Sequence, residues 1–88
     1  MIVEVSKSAD KDIEKLTESA RIIVLGQLKA LQEAETLGSM GNVIKMKGKR
    51  IAAMYRLKIS NFRIMIEKTD KNIIIRSVSD RKDAYKNK

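Results

Sequence analysis

The chemistry this sequence offers is that of clustered cations. Arg56, Lys58 and Arg63 fall in the stretch Met54-Tyr55-Arg56-Leu57-Lys58-Ile59-Ser60-Asn61-Phe62-Arg63-Ile64. In an extended strand, successive side chains point to opposite faces, so Arg56 and Lys58 point the same way. Ser60-Asn61 is a short turn of the kind that joins hairpin strands. Such a turn returns Arg63 across from the first two cations, with its neighbours Phe62 and Ile64 facing the core. Three cations on adjacent strands repel one another unless an anion sits between them. The nearest acid is Glu67, further along the same strand. An ordinary solvated face of a half-buried antiparallel sheet carries the same residues, and spacing alone leaves both readings open.

Other chemistries are poorly supplied. The chain has no His and no Cys, so it lacks imidazole and thiolate ligands, a thiol nucleophile and disulfides. The acids of the second half, Glu67, Asp70, Asp80 and Asp83, are spread over a strand, a turn and the tail. A divalent cation needs oxygen or imidazole ligands gathered at one point. Neither a metal nor any other cofactor is therefore expected.

The elements that must position the three cations follow from periodicity. Residues 2–6 alternate well enough for a short first strand. Ser8 is a plausible N-cap for a helix carrying Ile13 and Leu16, with Asp10 and Asp12 near its positive end. Thr17 is placed to cap a longer helix running to about Leu37. Its Ala20, Ile23, Val24, Leu28, Leu31 and Ala34 recur at the spacing of one helical face. Gly38 would end that helix as a C′ glycine. Gly26 inside it costs about 1 kcal/mol relative to Ala, and a close approach of another element would explain it. From Gly41 the period changes from 3.6 to 2. Residues 43–47 form one candidate strand, closed by a loop at 48–50. Residues 54–59 and 62–68 form the hairpin, with Tyr55, Leu57, Ile59, Phe62, Ile64 and Ile66 on the core side. Residues 72–79 form the most apolar strand, and Ile73-Ile74-Ile75 point to burial on both sides. The order β-α-α-β-β-β is an α+β fold, with two helices on one face of an antiparallel sheet into which the first strand returns.

Composition bounds the function. Eighty-eight residues allow one domain spanning 1–88. With one Phe, two Tyr and no Trp, aliphatic residues must build the core. No apolar run approaches the roughly 20 residues of a membrane span, and the first residues do not read as a signal peptide, so the expected compartment is the cytoplasm. The net charge of +8 is uneven. Residues 1–41 hold five Lys/Arg against seven Asp/Glu, a balance of −2, and residues 42–88 hold fourteen against four, a balance of +10. A half this basic attracts polyanions, of which nucleic-acid phosphates are the usual targets. A lysine-rich solvated surface has the same composition.

Three segments carry a resemblance. The stretch Met54 to Ile64 resembles a Tyr-Arg-Leu/Ile-Arg/Lys strand, a tight turn and an aromatic-Arg-Ile strand. Val78-Ser79-Asp80-Arg81-Lys82-Asp83-Ala84-Tyr85 resembles a closing Arg-Lys-Asp run followed by Tyr, and Ile44-Lys45-Met46-Lys47-Gly48 a preceding Lys-Leu-Lys-Gly stretch. All three occur in order in the RelE branch of the RelE/ParE toxins, over residues 43–85, about half the chain. The resemblance implies the toxin of a type II toxin–antitoxin pair, with a RelE-like fold. Such toxins enter the ribosomal A site and cleave the mRNA there, and a co-encoded antitoxin neutralises them. By position, the family's functional cations fall on Arg56, Lys58, Arg63 and Arg81, and its aromatic on Tyr85. Lys45, Lys47 and Lys82 are expected to meet ribosomal RNA or substrate phosphates rather than perform chemistry.

The sequence also departs from the family. Asp80 stands where many relatives have His, Ser77 where Arg is common, and Ile66 where Tyr is frequent. Strand parity sends Arg76 to the face opposite Ser77. Two other function classes share these features: a ParE-like inhibitor of DNA gyrase, and a nucleic-acid-binding module without catalysis. The retained Arg63, Arg81 and Tyr85 argue against the first. The scarcity of aromatic platforms argues against a single-strand binder.

Overall fold

The computed structural model describes residues 1–46, 53–70 and 72–80. The chain runs β1 (Ile2–Val5), α1 (Lys7–Glu14), α2 (Glu18–Glu33), a 3₁₀ turn (Leu37–Ser39), β2 (Val43–Lys45), β3 (Met54–Ile59), β4 (Phe62–Lys68) and β5 (Asn72–Asp80). The α+β order is the expected one. The strands form one sheet in the order β1-β5-β4-β3-β2, and both helices pack on the same face of it.

β2 to β5 are antiparallel neighbours, whereas β1 pairs with β5 in parallel, Ile2 opposite Asn72 through Val5 opposite Ile75. The sheet is therefore mixed rather than purely antiparallel. The chain between β1 and β5 runs through both helices and β2 to β4, more than the dozen or so residues a parallel join requires.

One core lies between helices and sheet. Leu57, Ile64, Ile66, Ile73, Ile75 and Val78 of the sheet meet Ala9, Ile13, Val24, Leu28, Leu31 and Leu37 of the helical layer, with Phe62 closing one end. Each fully buried aliphatic contributes about 1.5–3 kcal/mol relative to exposure. Ile73 and Ile75 are buried, but Ile74 is only half-buried on the uncovered face. β5 is thus covered on one side, because the helices occupy a single face.

The helix ends differ from expectation. Ser6, not Ser8, caps α1: its Oγ accepts the Ala9 N–H at 3.1 Å, and the helix starts directly after β1. At the other end of α1, Arg21 donates from Nε to the Ile13 carbonyl (3.3 Å) and from its terminal nitrogen to those of Glu14 (3.0 Å) and Leu16 (3.2 Å). A guanidinium suits that negative helix end. Thr17 caps α2 as expected, accepting from Ala20 N–H at 3.3 Å.

α2 stops at Glu33 rather than near Leu37, and Ala34 turns extended at φ −73°, ψ 145°. Leaving the helix there swings Leu37 into the core within a 3₁₀ turn capped by Thr36. Gly38 sits in that turn, not at a helix end. On α2, Ile23 is 40% exposed, beside exposed Ile22 and Leu25, so the buried stripe narrows to Val24, Leu28 and Leu31.

Gly26 has no close-packed neighbour: a Cβ built there meets nothing within 4 Å. Gly26→Ala should therefore stabilise the protein by about 0.5–1 kcal/mol, read as a raised urea midpoint with unchanged slope. A lowered midpoint would reveal a contact that needs the glycine.

Candidate nucleic-acid interface

The hairpin register builds the site. Lys58 lies directly opposite Arg63, and Arg56 opposite Met65. On the far side of β4, Arg63 faces Ser79 and Met65 faces Ser77. Two lateral rows thus cross the face turned away from the helices: Lys58–Arg63–Ser79, and Ile44–Arg56–Met65–Ser77. A third holds Met54, Glu67, Ile74 and Glu4. Alternation keeps the core-side Leu57, Phe62, Ile64 and Ile66 buried, which forces these rows outward.

Like charges directly opposite on neighbouring strands destabilise a sheet, and Lys58–Arg63 is such a pair. Lys58 is exposed, while Arg56 and Arg63 are half-buried, more covered than a solvated face requires. The Nε atoms of Arg56 and Arg63 are both buried without a hydrogen-bond partner among the described residues. A buried donor left unpaired is costly. An anion laid across the two rows would offer acceptors to both guanidinium groups, and arginine's fork geometry matches phosphate oxygens.

The face holds one further cation that alternation alone misplaces. β5 carries a bulge: Ile66 pairs with Ile75 and Met65 with Ser77, leaving Arg76 without a partner on β4. The extra residue re-aims the strand and puts Arg76 on the same face as Ser77, not opposite it. There Arg76 Nε donates to Glu67 Oε1 at 2.7 Å, and its terminal nitrogen completes an ion pair with the same oxygen. Ser6 and Asp12 hold the bulge from behind. Ser6 N–H donates to the Ile75 carbonyl (3.0 Å), Ser6 Oγ–H to the Arg76 carbonyl (3.2 Å), and Asp12 Oδ2 accepts the Val78 N–H (3.0 Å).

Of the other expected site residues, Lys45 pairs with Tyr55 and so alternates to the helix side of the edge strand. It nonetheless borders an open hollow of about 260 Å³ together with Ile44, Met46 and Arg56. A second hollow of about 280 Å³, between Leu37, Tyr55, Lys68 and Ile73, lies on the helix side, away from Arg56, Lys58 and Arg63. Lys47, Arg81, Lys82 and Tyr85 lie outside the described residues. Among the described residues, no group of three or more His, Cys, Asp or Glu could hold a metal, and no helix is long and apolar enough to cross a membrane.

Solved structures share this architecture. The RelB-RelE antitoxin–toxin complex from Methanococcus jannaschii aligns at TM-score 0.77 and 26% identity, over 94% of this chain and 95% of that one. The isolated E. coli RelE toxin aligns at TM-score 0.71 and 20% identity, over 97% and 90%. The archaeal RelE-RelB complex from Pyrococcus horikoshii aligns at 0.71 and 22%, over 91% and 93%. The chain has a RelE-type toxin fold. No protein-family profile matches the sequence, and no curated protein does.

Within the RelE-type fold, the open side of the β3–β4 hairpin is thus where the chain gathers Arg56, Lys58 and Arg63. Sequence reasoning missed Arg76, Ser6 and Asp12. The only local sign was a conflict of phase: Ile73 and Ile75 demand one alternation and Val78 the other, which a bulge alone reconciles.

Proposed function

We propose that this chain is the toxin of a type II toxin–antitoxin pair, a ribosome-dependent endoribonuclease that cuts mRNA and stops translation. The observation that carries the reading is the pair of buried Nε donors of Arg56 and Arg63, without a partner among the described residues, beside Lys58 on one open face of a RelE-type fold. Three cations so placed orient and neutralise a phosphodiester without a metal.

In the proposed step, the RNA's own 2′-oxygen attacks the adjacent phosphorus as its proton is removed. The bond to the 5′-oxygen breaks, and that oxygen takes up a proton. A 2′,3′-cyclic phosphate, or the 3′-phosphate after its hydrolysis, remains upstream. Lys58 or Arg56 assists removal of the 2′ proton, and Arg63 clamps the phosphate. Following the family pattern, Arg81 donates toward the leaving oxygen, Tyr85 stacks on the nucleotide, and Lys45, Lys47 and Lys82 meet RNA phosphates. Lysine and arginine ordinarily hold their protons at neutral pH. Help from ribosomal RNA in the proton transfer would account for a dependence on the ribosome.

The proposed partner in the cell is a co-encoded antitoxin, acidic or amphipathic, since a half-chain balance of +10 favours acidic complements and rapid association. Expression of the chain alone should arrest growth and translation, and co-expression of an adjacent short gene should restore both. Unimpaired growth at high soluble expression would count decisively against a toxin. A gyrase supercoiling assay run alongside should show no inhibition.

A further inference from the structure

Glu67 is the one carboxylate that the register places on the open face of β3, β4 and β5 among the described residues. It stands diagonal to Arg56, since Met54 opposes Glu67 and Arg56 opposes Met65. Diagonal positions in an antiparallel pair are about 7–8 Å apart, within reach of long side chains. Among the described residues Arg56 Nε has no hydrogen-bond partner, while Glu67 is engaged by Arg76 on the neighbouring strand. We propose that Arg76 is a positioning residue: by holding Glu67 it keeps that carboxylate off the Arg56 guanidinium, which stays available to a phosphate.

Several observations converge on this role. Arg76 reaches the face only because of the β5 bulge, which Ser6 and Asp12 secure from the helix side. Two of its nitrogens, Nε and a terminal one, converge on the same Glu67 oxygen, which holds the carboxylate beside Arg76 by charge-assisted hydrogen bonds. Arg76 is 47% exposed and Glu67 34%, so solvent screens the pair and it adds little to stability. Its effect is on where the carboxylate points. Among the described residues the register places Arg56 diagonal to Glu67, so without Arg76 a closed Arg56–Glu67 pair would compete with the phosphate.

The consequence for cleavage rests on the RNA-cutting reading above, whereas the pairing itself does not. Two arms separate them. In the first, ribosome-dependent cleavage is compared across a double-mutant cycle. Glu67→Gln alone should change the rate less than about twofold, Arg76→Gln should lower it about tenfold, and the double variant should return near wild type, since removing a competing charge matters only once it is unleashed. Equal effects of Glu67→Gln in both backgrounds would mean simple addition of charge and overturn the proposal. A double variant as impaired as Arg76→Gln would assign Arg76 to the RNA itself and also overturn it. The second arm needs no RNA. The Nε–Hε resonance of Arg56 in the full-length protein should move in Arg76→Gln and return in the double variant. An Arg56 signal that does not respond to Arg76→Gln refutes the pairing, whatever the chain does to mRNA.

Discussion

Arg63→Ala is expected to abolish toxicity and to lower mRNA cleavage by about a hundredfold or more, the scale set by removing one donor that stabilises developing charge. The reason lies in its place. Arg63 is opposite Lys58 on one side and Ser79 on the other, midway across the cationic row. Its Nε is buried with no partner among the described residues, a donor that the proposed phosphate would satisfy. The side chain is half-buried, more covered than a surface position. Truncation should therefore cost packing of its stem, at about 1 kcal/mol or less, far below the stability of a folded domain. Arg63→Lys separates charge from shape: it keeps the charge and loses the fork, so it should recover only part of the activity. The family pattern extends the same expectation to Arg81→Ala. Growth assays, cleavage rates and thermal midpoints measured on the same preparations test both. A variant that remains fully toxic removes that residue from the site.

The second large effect concerns the substrate. A single deoxyribose at the scissile position should stop cleavage altogether, while binding at that position is retained. The expectation rests on the proposed mechanism: with no His and no Cys in the chain, and no group of acids fit for a metal among the described residues, the RNA's own 2′-hydroxyl is the nucleophile we propose. That hydroxyl is already adjacent to the phosphorus, so the protein need only orient it and stabilise the charge that grows on the phosphate. Upstream fragments from the unmodified substrate should end in a cyclic phosphate or 3′-phosphate, readable by mass spectrometry. Continued cutting of the deoxy substrate would rule out attack by the 2′-oxygen.

Much of the fold was legible because it is encoded at short range. β3 and β4 have the boundaries that alternation predicts, 54–59 and 62–68. The two-residue turn between them carries its strain at Ser60, with φ 54°, a conformation glycine adopts more easily. Parity on this hairpin placed Arg56, Lys58 and Arg63 on one face correctly, since no irregularity interrupts the register from Met54 to Ile59. Helix ends were less legible. Ser6 and Ser8 are chemically equivalent caps, and the exit of β1 selects the first. The end of α2 is chosen by Leu37, whose burial outweighs a further turn of helix.

The sequence by itself determined the order of elements, the core side of each hairpin strand, the charge asymmetry and the three cations of the open face. Each is a property of periods 2 and 3.6 or of residue type, and each can be read within a window of a few residues. Only the tertiary structure decided that β1 joins the sheet in parallel, that α2 buries Val24 but not Ile23, and that Arg76 shares the face of Arg63. The last case shows the physical reason. The bulge that turns Arg76 outward is secured by Ser6, 70 residues away from its bonding partner Arg76, and by Asp12, 66 residues away from Val78. No local window contains both sides of those bonds. The extra residue in β5 becomes visible only when the chain closes on itself and the strand must satisfy β4 on one edge and the start of α1 on the other.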